Sequence, residues 1–87
     1  MQIFDYEHID NESLDVGLEM SDGKVLFFND VHFSKYDLSV MTDSMMDYYC
    51  LDADWNSIEY HPTIAEIREA KIVITNFLND EEIHISH

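Results

Sequence analysis

Between residues 14 and 33 the chain spells out a β-hairpin, and no other stretch limits its fold as much. Leu14, Val16, Leu18 and Met20 alternate with Asp15, Gly17 and Glu19. That two-residue period is the pattern of a half-buried strand. Ser21-Asp22-Gly23 comes next. An Asp-Gly pair between two such runs is the strongest short-range hairpin signal, because tight hairpin turns need positive φ and glycine supplies it. Residues 24–33 return as the second strand, with Val25, Phe27, Val31 and Phe33 expected on the inward side.

The flanking segments add strands and helices to this hairpin. Residues 2–9 have strand character, and Asn11-Glu12-Ser13 reads as a connection. Leu38, Met41, Met45 and Tyr48 or Tyr49 fall at helical spacing behind Asp37 as a cap, which predicts a short helix within 35–49. Residues 50–61 suit an extended segment ending before Pro62, since the residue before proline avoids helical angles. Thr63 and Glu66 then form a Thr-x-x-Glu capping box. Ile64, Ile67, Ala70, Ile74, Phe77 and Leu78 continue a helical stripe. Against it stand Ile72-Val73-Ile74-Thr75, four β-branched residues in a row, which favour a strand. Two readings remain open: a helix over 64–78, or a helix ending near Lys71 followed by a hairpin turning at Asn79-Asp80. The nearly unbroken stripe tips the balance to the long helix, and Ile83 and Ile85 suggest a last strand. The expected fold is a single α+β domain over 1–87: a small antiparallel sheet with a hairpin at residues 14–33, packed against one or two helices.

Charge narrows the function. Nineteen Asp and Glu face four Lys and Arg, a formal net charge of -15. A net charge of about 2–8 in magnitude keeps a small domain soluble, and the excess opposes compaction by self-repulsion. Yet 46% of residues are hydrophobic and 13% aromatic, too many for a disordered acidic tail. Phosphate contacts need Lys and Arg, so direct binding to nucleic acid or to an anionic membrane is disfavoured. A basic protein is the natural partner. Cys50 is the only cysteine, which fits a reducing compartment. No apolar run approaches the roughly 20 residues of a membrane span, and the first residues lack the regions of a signal peptide. These features predict a soluble cytoplasmic product beginning at Met1.

Catalytic and metal motifs are weak. Asp52-Ala53-Asp54-Trp55-Asn56 matches the first ligand spacings of an EF-hand loop, but Ser57 stands where that loop needs glycine and Thr63 where it needs a bidentate glutamate. A solvated acidic loop fits better, with a calcium or metal module on Asp52, Asp54, Asn56 and Glu59 as an alternative. His84 and His87 lie three apart, without a Cys–His or His–Glu–x–x–His pattern around them. Cys50, between Tyr49 and Leu51, reads as a buried inert thiol. The two glycines exclude a phosphate-cradling loop. No enzyme, cofactor or metal is therefore expected.

The carboxylates read better as an array. Asp5 and Glu7, Asp10 and Glu12, and Asp52 and Asp54 are two apart, and Asp43 and Asp47 are four apart. Residues two apart on a strand share a face at about 6.6–7 Å, and residues four apart share a helix face. Tyr36, Tyr48, Tyr49, Trp55 and Tyr60 sit among the acids, as do Met41, Met45 and Met46, and Tyr, Trp and Met are enriched at interface centres. The candidate partner-binding residues are Asp43, Asp47, Asp52, Asp54, Glu59, Tyr48 and Trp55. With its -15 charge, short length and acids in one stretch, the chain resembles the acidic DNA-mimic proteins of phages and mobile elements. The resemblance is compositional and spans the whole chain. It implies an inhibitor that occupies the DNA-binding surface of a host protein, such as a nucleoid protein of the HU type, a restriction or CRISPR effector, or RNA polymerase. The chain is also similar in character to acidic immunity proteins that neutralise a basic nuclease toxin. A homodimer seamed by Ile72-Val73-Ile74 is a further option.

Overall fold

The computed structural model describes residues 1–9, 12–33, 40, 45 and 47–81. Among them five strands and one helix follow in the order β1 (Gln2–His8), β2 (Ser13–Glu19), β3 (Val25–His32), β4 (Tyr48–Leu51), β5 (Ser57–Ile58) and α1 (Ile64–Glu81). The strands form one antiparallel meander in which each pairs with the next. The fold is α+β, as the alternation and the capping box require. No helix among the described residues is long and apolar enough to cross a membrane.

The hairpin at residues 14–33 forms around Asp22. The Met20 N–H donates to the Lys24 carbonyl at 2.7 Å, and Gly23 takes φ 94°. Folding about this point sets Leu18 opposite Leu26, Val16 opposite Phe28 and Gly17 opposite Phe27. The register corrects one expectation. Leu26 and Phe28, fully buried, carry the inward parity of β3, while Phe27 lies on the opposite face. Val25-Leu26-Phe27-Phe28 is apolar throughout, so its own periodicity is blind to the choice; the turn decides it.

One face of the sheet is dry. Leu14, Val16, Leu18, Leu26, Phe28 and Cys50 pack with Ala70, Ile74 and Leu78 of α1 in a core that also holds Val31, Phe33, Val40 and Met45. Met45, one of the methionines set among the acids, is a core residue. The sequence placed Tyr48 or Tyr49 at the end of a helix; both instead lie in β4, opposite Phe28 and Phe27. Aromatic side chains suit a pleated, half-buried surface, and pairing there satisfies the backbone groups of β3. Most of the rest of 35–49 lies outside the described residues, as do Asp43 and the Ile83–Ile85 segment with His84 and His87.

The long helix wins over the hairpin alternative. The Thr63 N–H donates to Glu66 Oε1 at 2.8 Å, and the Glu66 N–H to Thr63 Oγ1 at 3.1 Å, closing the capping box. Ala70, Ile74 and Leu78, each four apart, are all fully buried, whereas Ile72, which a strand would set on the same face as Ala70 and Ile74, is exposed. The β-branched run is accommodated, with Thr75 Oγ1 donating back to the Lys71 carbonyl at 2.7 Å. Two expectations on this helix are corrected. Ile64 lies 75% exposed in the first turn, beyond the reach of the sheet, and Ile72 and Ile74 separate, one 61% exposed and the other in the core. Ile72-Val73-Ile74 is therefore no continuous apolar seam.

Candidate functional site

The opposite face of the sheet has no helix over it among the described residues. Strand parity places there the residues that alternate with the core: Asp5 and Glu7 on β1, Asp15, Gly17 and Glu19 on β2, Phe27 on β3 and Tyr49 on β4. A bulge at Phe4–Asp5, where two residues of β1 face one of β2, turns Phe4 to this side as well.

An aromatic row runs across the middle. Tyr49 stacks on Phe27 at 4.9 Å with their planes 10° apart. Phe27 meets Phe4 edge-on at 6.4 Å, and Phe4 meets Trp55 at 5.3 Å. Gly17 makes this layout possible, since a Cβ there would lie 2.6 Å from a Phe27 ring carbon. The ring lies on the glycine backbone, covering a position that would otherwise weaken the strand. Phe4, Tyr49 and Trp55 are 42%, 47% and 57% exposed.

Trp55 reaches the row from the β4–β5 turn in an unusual backbone state. Its φ is 68°, a genuine outlier for a bulky residue, and such conformations cost about 1–3 kcal/mol. Asp52 holds the turn. Its Oδ1 accepts the N–H groups of Asp54 and Asn56, each at 2.9 Å. The Asn56 N–H, joined by that of Asp54, keeps the Asp52 carboxyl below the usual carboxylate range. The Asp52-to-Asn56 segment is thus a hairpin tip whose first acid is committed to backbone donors. Among the described residues no three His, Cys, Asp or Glu converge on a metal-binding geometry.

Acids rim the aromatic row. Glu7 stands directly opposite Asp15, with Asp5 two residues away on the same strand. Like charges opposite one another in a sheet are destabilising. Asp15 Oδ1 accepts the Asp30 N–H at 2.7 Å, holding the β3 bulge where Asp30 has φ 54°. Glu19 accepts from the Gln2 amide at 2.8 Å. Asp5, Glu7, Asp15, Gly17, Phe27, Asn29 and Tyr49 help line a shallow notch of about 180 Å³.

The described cations lie elsewhere. Arg68 and Lys71 belong to α1. The Met1 ammonium binds Glu69 of α1 at 2.9 Å. Lys24 pairs with Asp22 and lies 4.9 Å over the Tyr60 ring. Tyr60 is on the helix side, its hydroxyl donating to Glu66 at 2.6 Å, and this bond pushes its pKa up to about 12. The described cations thus lie on the helix side, interspersed with acids such as Glu66 and Glu69, while the open face carries acids without them.

The seven residues singled out from sequence scatter over this frame. Trp55 joins the open face, with exposed Asp54 beside it in the turn. Tyr48 does not: it points to the helix side, where its hydroxyl lies 2.8 Å from His61 Nδ1, and His61 Nε2 lies 3.4 Å from Glu59 Oε1. Asp47 is exposed just before β4, and its carbonyl accepts the Asn29 N–H at 2.9 Å. Phe4, Asp15, Gly17 and Phe27 were missed. Their signal was the hairpin register, which puts Gly17 opposite Phe27, combined with the Asp5–Glu7 spacing. Cys50 sits in the core, where burial pushes its thiol up and the Lys24 charge only partly opposes this. Comparison with protein-family models, with curated proteins and with solved structures gives no match, so the functional reading rests on this geometry alone.

Proposed function

We propose that the protein is an acidic docking module that binds the basic DNA-binding surface of another protein and displaces DNA from it. One observation carries this reading. Asp5, Glu7, Asp15 and Glu19 share a face with the exposed row Phe4, Phe27, Tyr49 and Trp55, and the described Lys and Arg residues lie off that face. Interfaces combine aromatic centres with a polar rim, and here the rim is of one sign. Rows of carboxylates at strand spacing offer a basic surface what a phosphate backbone offers it.

The docking face differs from the Asp43-to-Glu59 stretch suggested by local acid density. Asp52 is committed to its turn and Tyr48 to the helix side. Attraction of opposite charges predicts fast association that falls steeply with salt.

Affinity capture from a bacterial lysate at low salt, with elution by salt, tests the reading. Basic DNA-binding proteins are expected in the eluate, and purified members should release labelled duplex DNA when the protein is added. A variant carrying Asp5→Lys, Glu7→Lys and Asp15→Lys should capture none of them. Equal capture by wild type and variant would remove the open face from the function. Recovery of a single nuclease held through high salt would point instead to a toxin-specific immunity protein.

A further inference from the structure

We infer that the open face takes an arginine-bearing segment of its basic partner, with one guanidinium entering the notch between the Phe27–Tyr49 stack and the carboxylates of Asp5, Glu7 and Asp15. This rests on the open face being the docking surface and names the chemistry that it selects. The notch has two kinds of wall. One is a flat aromatic pair, its planes 10° apart, with Tyr49 nearly half exposed. The other is a set of acceptors on adjacent strands: Glu7 directly opposite Asp15, and Asp5 two residues along. Gly17 lies between them, and the Phe27 ring resting on its backbone brings the aromatic wall down to the floor of the notch.

A guanidinium meets both walls at once. It is planar, carries five donors and no acceptor, is weakly hydrated, and stacks on aromatic faces. Its donors pair with carboxylates two at a time. An ammonium is a compact, strongly hydrated charge that gains less from the flat wall. Other occupants fit worse. A bare divalent cation would need converging oxygen ligands, and the described acids do not converge. A second copy would bring the same carboxylates to the same face. An anion would meet the carboxylates of Asp5, Glu7 and Asp15 with no cationic side chain in the lining to offset them.

The test compares hexa-arginine and hexa-lysine peptides, equal in charge, titrated at low salt into the full 87-residue chain. Gly17 and Gly23 are its only glycines, so their amide resonances give one reporter in the notch and one control at the hairpin tip. Hexa-arginine should bind about two- to fivefold more tightly than hexa-lysine, the order expected for a cation over an exposed ring, and should move Gly17 more than Gly23. Tyr49→Leu and Asp15→Asn should each bring the two peptides close to equal affinity. Tyr49→Phe, which keeps the ring, should preserve the preference, and an amide spectrum of Tyr49→Leu that keeps the wild-type Gly23 resonance and dispersion shows that its loss is not a folding defect. Equal affinity in the wild type, or shifts that spare Gly17, would overturn the notch while leaving a basic partner in place. Failure of both peptides to bind would overturn the notch and the docking face together.

Discussion

The two faces of this sheet are made by the same strands and obey opposite rules. Toward α1, Leu14, Val16, Leu18, Leu26 and Phe28 are buried to within 1% of complete exclusion from solvent. Away from it, the alternate positions carry aromatic rings left partly in water and carboxylates set against one another. The first face gains stability from every residue on it. The second gives some up, through the Glu7–Asp15 opposition and the positive φ of Trp55. Departures from local stability rules tend to collect where function is. The contrast separates what makes the chain fold from what the proposed function would use for binding.

Truncation should expose that division most strongly. Phe28→Ala removes a fully buried ring and should cost about 3–5 kcal/mol, as phenylalanine-to-alanine changes in cores do. Tyr49→Ala, one strand away on the open face, should cost well under half as much and weaken binding to a basic partner instead. Urea unfolding of both variants measures the gap. Equal losses would mean that the open face is a second core.

A smaller effect comes from the helix that creates the dry face. Thr63→Ala opens the capping box and should cost about 1 kcal/mol, read as a lowered urea midpoint, with the peptide affinities of the open face unchanged. A change in those affinities would couple the two faces.

What the sequence disclosed follows the same line. The β2 alternation, the Asp-Gly turn and the Thr63–Glu66 box are local patterns, and each appears in the fold as a strand, a hairpin and a cap. The helix survives its β-branched run because Ala70, Ile74 and Leu78 are buried together, a tertiary effect that outweighs propensity. The open face was only half legible. Trp55 and the Asp5–Glu7 spacing were visible, but the aromatic row joins β1, β3, β4 and a turn, and depends on a bulge at Phe4–Asp5. Bulges and long-range register leave little trace in one strand's periodicity. Tyr48 and Tyr49 show the limit plainly. They are adjacent and chemically identical, and strand parity sends one to each face.

Titration sharpens the comparison on the helix side. The Tyr60 hydroxyl bonds Glu66, and its pKa stands at about 12 against an ordinary 10.0. A group raised in the folded state contributes stability that is complete below its unfolded value and is lost as pH rises through the folded one. Stability should therefore decline between about pH 10 and 12, and Tyr60→Phe should flatten that limb. Glu66 responds at the other end: the Thr63 N–H, aided by the Tyr60 hydroxyl, holds its carboxyl below the usual range. Its contribution should persist above its ordinary value and vanish as pH falls through the depressed one. Absorbance of tyrosinate and urea midpoints across pH follow both limbs.

The smallest expected change has the most informative sign. Glu7→Gln removes one charge from the pair facing Asp15 without altering shape. Opposed like charges in a sheet cost about 0.2–1 kcal/mol, and exposure of Glu7 puts this pair near the lower end. The variant should thus be slightly more stable than the wild type at low salt. The gain should shrink as added salt screens the repulsion, because at 0.1 M the screening length is about 10 Å. The same substitution should weaken hexa-arginine binding and slow association with a basic partner. Stability rising while binding falls would show that the repulsion is retained for what it attracts. If both fell together, Glu7 would belong to the fold, and the division between the faces would have to be redrawn at β1.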